Sequence, residues 1–176
     1  MINKIATIVF PAAIIFLIQI NITAQVKEDS MTAVPDTGVT LKPVTIHEEM
    51  DFNVSPGRLY SALLDSKQFS EFTSQLGGFS ASSAKIDNTE GGAFTLFDGH
   101  IMGRNIELVP DQRIVQAWRS GDWPAGVYSI VKFELKPNGT GTHLIFDHTG
   151  FPENMLSHLT EGWKVHYWEP LMKYLH

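Results

Sequence analysis

The feature that most constrains the fold is a run of short β-strand patterns between Phe79 and His148. Segments such as "GGAFTLF", "IMGRNIELV", "RIVQAWR", "VYSIVKFELK" and "THLIFDH" are rich in β-branched and aromatic residues. The turn signals between these segments are Asp98-Gly99, Pro110-Asp111, the loop "SGDWPAG" and Pro137-Asn138-Gly139. Many short strands at this spacing predict an antiparallel meander, with a two-residue hairpin turn at Asp98-Gly99.

The pattern is helical after the meander, and it is mixed before it. Beyond Gly150, apolar residues recur at helical spacing: Leu156, Leu159, Trp163, Tyr167, Leu171 and Tyr174. Pro170 falls inside this pattern and should kink the helix or begin a separate last turn. Ahead of the meander, "VTIHEEMDF" predicts a strand. The following "NVSPGRLYSALLDSKQFSEF" predicts two short helices, the first with Ser55 as N-cap and Pro56 at its first position.

This order of elements predicts an α+β fold. An antiparallel sheet must cover one of its faces, and the C-terminal helix is the only predicted element large enough to do so. We therefore expect a curved antiparallel sheet wrapped around a long C-terminal helix, with two short helices after the first strand. This arrangement is called a helix grip.

The N-terminal residues are not expected to belong to that fold. Residues 1–25 combine one lysine, an apolar run from Ile5 to about Ile18 and a polar exit ending in "TAQ", which is typical of a secretory signal peptide. The run is shorter than the ~20 residues that a membrane span needs, although an uncleaved anchor is the alternative. Residues 26–42 are polar and predict a flexible linker, which leaves 43–176 as the domain. We expect a periplasmic or secreted protein.

Composition excludes several classes of function. The formal charge of −6 argues against binding to the phosphate backbone of nucleic acids. The sequence has no cysteine, so disulfides, thiolate nucleophiles and cysteine-ligated zinc are excluded. Glycine-rich loops lack the strand–helix context that phosphate binding requires, and we expect no nucleotide or other cofactor.

An ordered set of motifs resembles a known family. The stretches are "SPGRLYSALLD", the segment from "GGAFTLFDGH" through "WPAGVYSIVKFEL", and "HTGFPENMLSHLTEGWKVHYWEPLMKYL". Together they resemble the activators of heat shock protein 90 ATPase, within the START-like or SRPBCC superfamily of helix-grip proteins. The resemblance implies that fold, and it implies a role in binding a protein or a small ligand in a cavity. Two features depart from the eukaryotic activators: the predicted export signal and the lack of their additional N-terminal domain.

The histidines near the C-terminus raise the question of a metal or acid–base site. His158 and His166 are about 12 Å apart along a helix, too far for one metal ion to bridge, because ligand bonds are ~2 Å. We interpret this helix face as solvated and expect no metal site, unless folding brings His47, His100 or His143 to the helix. His148 and its neighbour Asp147 point to opposite faces of a strand, and we place His148 inward at the core edge, bonded to backbone.

Other residues are candidates for lining a cavity. Glu48 shares a strand face with Ile46, Met50 and Phe52, so it is either paired in the interior or turned to solvent at the strand edge. Gly162 costs helix propensity, and we expect close packing of sheet against helix there. The large aromatic residues either line a pocket or fill a solid core; they are Trp118, Trp123, Phe133, Phe146 and Trp163.

Three hypotheses of function follow. The preferred one is a non-catalytic domain that binds a small apolar ligand or a protein partner. The ligand-binding candidates are Glu48, Trp118, Phe133, Phe146, His148, Trp163 and His166. The second is a cavity enzyme of cyclase or hydrolase type, with acid–base work by His148, Glu48 or His166. The third is a cofactor resembling the chaperone ATPase activators, against which the predicted export signal argues.

Overall fold

The computed structural model describes residues 44–74 and 83–176. The predicted signal peptide, the predicted linker and Phe79 lie outside these residues. The strands of the described part are β1 Thr45–Phe52, β2 Lys85–Ile86, β3 Ala93–Leu96, β4 Ile101–Val109, β5 Arg113–Ser120, β6 Ser129–Asn138 and β7 Gly141–Thr149. The α-helices are α1 Pro56–Leu64, α2 Ser66–Thr73, α3 Leu156–Trp163 and α4 Glu169–Tyr174, with a π-helical segment Lys164–Trp168 between the last two. Two 3₁₀ segments complete the structure, Phe97–Gly99 and Glu153–Met155.

The seven strands form one antiparallel sheet in the order β1-β7-β6-β5-β4-β3-β2. Strands β2 to β7 are a meander, and β1 returns to pair with β7. The C-terminal helix, from α3 through the π segment to α4, packs on the inner face of the sheet. There the ring of Trp163 lies 4.4 Å from that of Phe146, measured between centroids. The predicted α+β helix-grip fold is therefore confirmed.

The two short helices follow local signals in the sequence. Ser55 caps α1 by accepting a hydrogen bond from the backbone N–H of Arg58, and Pro56 occupies the first turn. Asp65 ends α1 and also caps α2, since its carboxylate accepts from the Gln68 N–H at 2.8 Å. The apolar stripes of both helices are buried against the sheet and the C-terminal helix; they include Leu59, Leu63, Phe69 and Phe72.

Pro170 does not break the C-terminal helix. The chain widens into a π turn just before it, where the Glu169 N–H donates to the carbonyl of Lys164. A proline has no N–H and its ring crowds the preceding turn, so wider hydrogen bonding at this point lets the helix continue. Leu159, Trp163, Tyr167 and Leu171 are buried, as their spacing predicts.

The hairpin at Asp98-Gly99 exists, but its connection is longer than the predicted two residues. Leu96 pairs with Ile101, so residues 97–100 join β3 to β4. Phe97 and Asp98 both adopt left-handed conformations, with φ of 51° and 55°. The wider turn directs the Phe97 ring towards the helices, where it packs edge-on against Phe69 and Tyr167.

No helix in residues 44–74 and 83–176 combines the length and the apolar character needed to cross a membrane. The predicted signal peptide, and the alternative of an uncleaved anchor, concern residues outside this part of the chain.

Candidate functional site

A cavity of about 310 Å³ lies between the β4–β5 hairpin and the C-terminal helix. Its apolar wall from the sheet side consists of Phe97, Ile101 and Trp118, and its wall from the helix side includes Met155, Leu159 and Trp163. The helix also contributes Val165 and Tyr167. The volume is at the small end of the roughly 300–1,000 Å³ that is usual for small-molecule sites.

Polar side chains lie on the same cavity; they are His100, Ser120, His158, Glu161 and His166. Pairing of β4 with β5 brings the first two together, because Ile101 is opposite Ser120 and the Gly121 N–H donates to the His100 carbonyl. Ser120 Oγ and His100 Nε2 are 3.3 Å apart. A hydrogen bond from Ser120 also lowers the pKa of Asp122. The Ser120 hydroxyl is therefore placed between an imidazole and a carboxylate.

The cavity opens where Gly162 has no side chain. A Cβ atom built on Gly162 would have no neighbour within 4 Å, apart from the helix backbone itself. The expected close packing of sheet against helix at this residue is therefore wrong. Gly162 instead leaves part of the cavity wall as bare helix backbone.

The pKa of His166 reflects both its burial and the imidazoles around it. Burial lowers the pKa of His166, and the nearby imidazoles of His158 and His100 lower this pKa further. Burial raises the pKa of the Tyr167 hydroxyl, which stays neutral at physiological pH. His158 and His100 thus both lie close enough to affect His166, although His100 is far from it in sequence.

His148 is fully buried and lies in the core behind the cavity. Its Nδ1 accepts a hydrogen bond from Trp163 Nε1 at 2.9 Å, and its Nε2 lies 2.7 Å from Ser129 Oγ. The Ser129 hydroxyl in turn donates to the Trp118 carbonyl at 3.0 Å. The inward placement matches the prediction, but the imidazole bonds to side chains rather than to backbone.

Glu48 is half-buried and faces the interior side of β1. Its Oε2 accepts a hydrogen bond from Trp168 Nε1 on the π segment. Glu48 is therefore paired on the interior side of the strand and is not turned to solvent. The contact ties the edge strand β1 to the C-terminal helix.

The predicted cavity residues separate into two groups. Trp118, Trp163 and His166 line the cavity. The other four belong to the core or the strand edge; they are Glu48, Phe133, Phe146 and His148. Sequence reasoning missed Phe97, His100, Ser120 and Met155, because they come from connections and strand ends that the fold brings to the helix. His158 is exposed, as the predicted solvated face requires, and it also borders the cavity, whereas His166 on the same face is half-buried.

The histidines and nearby carboxylates do not form a metal centre in the part of the chain that the structure describes. In residues 44–74 and 83–176, no three His, Asp or Glu side chains converge closely enough to hold a metal ion.

Comparison with known proteins agrees with the fold. The family described as "Activator of Hsp90 ATPase homolog 1-like protein" matches residues 53–176. A Dictyostelium discoideum homolog of the activator of 90 kDa heat shock protein ATPase is 32% identical over 141 residues, which are 78% of this chain and 35% of that protein. The mouse homolog 2 is 26% identical over 164 residues, covering 93% of this chain and 47% of that protein. The chain thus spans about a third to a half of the length of these relatives.

Solved structures show the same architecture. An HSP90 activator from Plasmodium falciparum superposes with a TM-score of 0.65 at 25% identity, covering 70% of this chain and 89% of that one. A protein from Chromobacterium violaceum superposes with a TM-score of 0.61 at 25% identity, covering 74% and 96%. With the family match over most of the domain, these likenesses show that the chain belongs to the activator of Hsp90 ATPase homolog 1-like family.

Proposed function

We propose that this domain binds one small, largely apolar molecule in the cavity between the β4–β5 hairpin and the C-terminal helix. The observation that carries the proposal is the open volume beside Gly162, walled by Trp118 and Trp163. A glycine inside a helix costs about 0.5–1 kcal/mol relative to alanine, so its presence where a side chain would fit freely is best explained by a need for space.

The proposal is for binding rather than catalysis. His148 is enclosed in the core with both ring nitrogens in hydrogen bonds, so it is not placed to act on a molecule in the cavity. Glu48 is engaged by Trp168 and does not line the cavity. Among His148, Glu48 and His166, only His166 lines the cavity.

The test is a fluorescence titration with the neutral apolar probe N-phenyl-1-naphthylamine. Wild-type protein should bind the probe saturably with one site per chain. Gly162→Leu should lose this binding, because the leucine side chain would occupy the open space. Ser157→Leu adds the same side chain at an exposed position of the same helix and should bind as the wild type does.

Two results would count against ligand binding. The first is probe fluorescence that does not saturate with wild-type protein. The second is unchanged binding by Gly162→Leu, which would place the probe on the surface rather than in the cavity.

A second candidate function is contact with a chaperone of the 90 kDa heat shock class. It rests on the names of the relatives, which are activators of that chaperone's ATPase. Two large apolar side chains, Tyr128 and Ile130, are also exposed. ATP hydrolysis by the purified chaperone of the same organism should rise on addition of this chain, and less so with Ile130→Glu. Unchanged hydrolysis would reject this function.

We propose further that residues 1–25 direct export and that 26–42 link them to the domain 43–176. The proposal rests on the apolar run and polar exit of the N-terminal sequence. N-terminal sequencing of the protein from its host should find cleavage after Ala24 or Gln25. A mature chain that begins at Met1 in a membrane fraction would indicate a retained anchor.

A further inference from the structure

Three imidazoles from two distant parts of the chain line one cavity. His100 lies in the β3–β4 connection, and His158 and His166 lie about two turns apart on the C-terminal helix. His100 and Ser120 together form the sheet-side part of this polar wall. Trp118 and Trp163 supply aromatic surface to the same wall, so the cavity combines apolar area with imidazole groups.

The spacing of these groups favours an anion over a metal ion. Metal–nitrogen bonds are ~2 Å, so ligands of one ion must converge within about 4 Å of each other. No three His, Asp or Glu side chains in the described ranges meet that condition. A carboxylate accepts hydrogen bonds at about 2.7–2.9 Å from charged donors, so it needs only one or two of these imidazoles within reach and does not require all three to converge.

We infer that the ligand is an amphipathic acid, with an apolar body against Trp118 and Trp163 and a carboxylate facing His100, His158 and His166. The inference rests on the proposed function and specifies the ligand class of the same cavity. The small volume limits the body to about two or three rings or an equivalent short chain.

The charges around the head group set the expected pH dependence. Facing the imidazoles are the Asp122 carboxylate, which Ser120 engages, and Glu161 on the exposed side of α3. The buried Tyr167 hydroxyl is neutral. Two carboxylates oppose an anion when the histidines are neutral. The pKa of His166 is lowered, so its imidazole takes up a proton only below about pH 6.5, and the affinity for an anion should rise as the pH falls through that range.

The experiment is calorimetric titration of the full chain with three probes that share one aromatic body. They are 1-naphthylacetate, its neutral amide 1-naphthylacetamide, and the cation 1-naphthylmethylamine. The acetate should bind roughly tenfold more tightly than the amide at about pH 6, and the preference should shrink to about twofold or less at about pH 8. His158→Gln, at an exposed position that should not disturb folding, should reduce the preference for the acetate over the amide.

His176→Gln is the matched control, since this histidine is exposed at the C-terminus and does not line the cavity. Equal binding of acetate and amide at both pH values would overturn the acid-ligand inference and leave the apolar site intact. Tighter binding of the amine would overturn it in favour of Asp122 and Glu161 as the recognising groups. Failure of all three probes to bind would remove the proposed function together with this inference.

Discussion

The indole N–H of Trp163 donates a 2.9 Å hydrogen bond to Nδ1 of His148 inside the core. An indole N–H can only donate, so Nδ1 must be unprotonated. The proton of the neutral ring is therefore on Nε2, which donates to Ser129 Oγ at 2.7 Å. This hydrogen bond joins the C-terminal helix to β7. It also fixes which atom donates and which accepts in the series Trp163–His148–Ser129.

His148 should remain neutral across the physiological range. Burial lowers its pKa to about 3, whereas an unfolded chain would protonate it near 6.5. Its contribution to stability is therefore full above about pH 6.5 and falls by up to about 1.4 kcal/mol per pH unit between there and the folded pKa. Nitrogen NMR should show an Nε2–H tautomer with no titration between about pH 5 and 8.

His148→Phe provides the matched variant for that prediction. It leaves the Trp163 indole N–H without a partner, which should cost about 1–3 kcal/mol at neutral pH, whereas the Ser129 hydroxyl keeps its bond to the Trp118 carbonyl. Because phenylalanine does not titrate, the stability gap to wild type should narrow as the pH falls below about 6.5. Urea titrations at several pH values measure the gap, and a constant gap would contradict the assigned neutral state.

Trp163→Ala should destabilise the domain by about 3–5 kcal/mol, the usual cost of truncating a buried tryptophan. Trp163 is 2% exposed, with ring neighbours Phe146 at 4.4 Å and Tyr167 at 4.2 Å. Urea denaturation measures the change. A loss below about 1 kcal/mol would mean that this helix face is not the buried one.

Two glycines should respond to alanine in opposite directions. Gly162→Ala should stabilise the domain by about 0.5–1 kcal/mol, because the new methyl group enters open space on a helix. Gly103→Ala should destabilise it strongly, since its Cβ would lie 2.1 Å from the Ala117 carbonyl and 2.4 Å from the Phe94 ring. Thermal unfolding of both variants is the measurement, and destabilisation by Gly162→Ala would show that the space beside it is filled.

Two histidines on the outer sheet face should titrate above the ordinary value. Hydrogen bonds to Asp51 and then Glu49 raise the pKa of His143, and bonds to Asp147 and then Glu49 raise the pKa of His47. A raised pKa stabilises the fold below about pH 6.5, and the contribution is lost as the pH rises through the folded value. Proton NMR measures both midpoints.

The partner carboxylates supply a reciprocal control. Asp51→Asn should lower the midpoint of His143 more than that of His47, because Asp51 contacts His143 at 2.9 Å. Asp147→Asn should lower the midpoint of His47 more than that of His143, since Asp147 contacts His47 at 2.7 Å. Midpoints at or below about 6.5 in the wild type would show that these contacts do not persist in solution.

Local sequence patterns were enough to predict the architecture. Turn residues and strand alternation identified the meander, and the inward face of β1 followed from Ile46, Met50 and Phe52. The stripe from Leu159 to Leu171 identified the buried side of the C-terminal helix. These features depend on backbone geometry over a few residues, which neighbouring residues in the sequence determine.

The hydrogen-bond partners of the interior polar residues, and the cavity, could be identified only from the tertiary structure. The sequence placed His148 inward and Glu48 on the interior side of β1, but only the fold brings Trp163 and Trp168 to them. Gly162 was expected to mark close packing, whereas it borders a cavity. His100 meets His158 and His166 because a strand connection crosses to the helix. The sequence by itself determined the elements and their buried faces; the cavity was decided by the gap between elements distant in the chain, which no local pattern encodes.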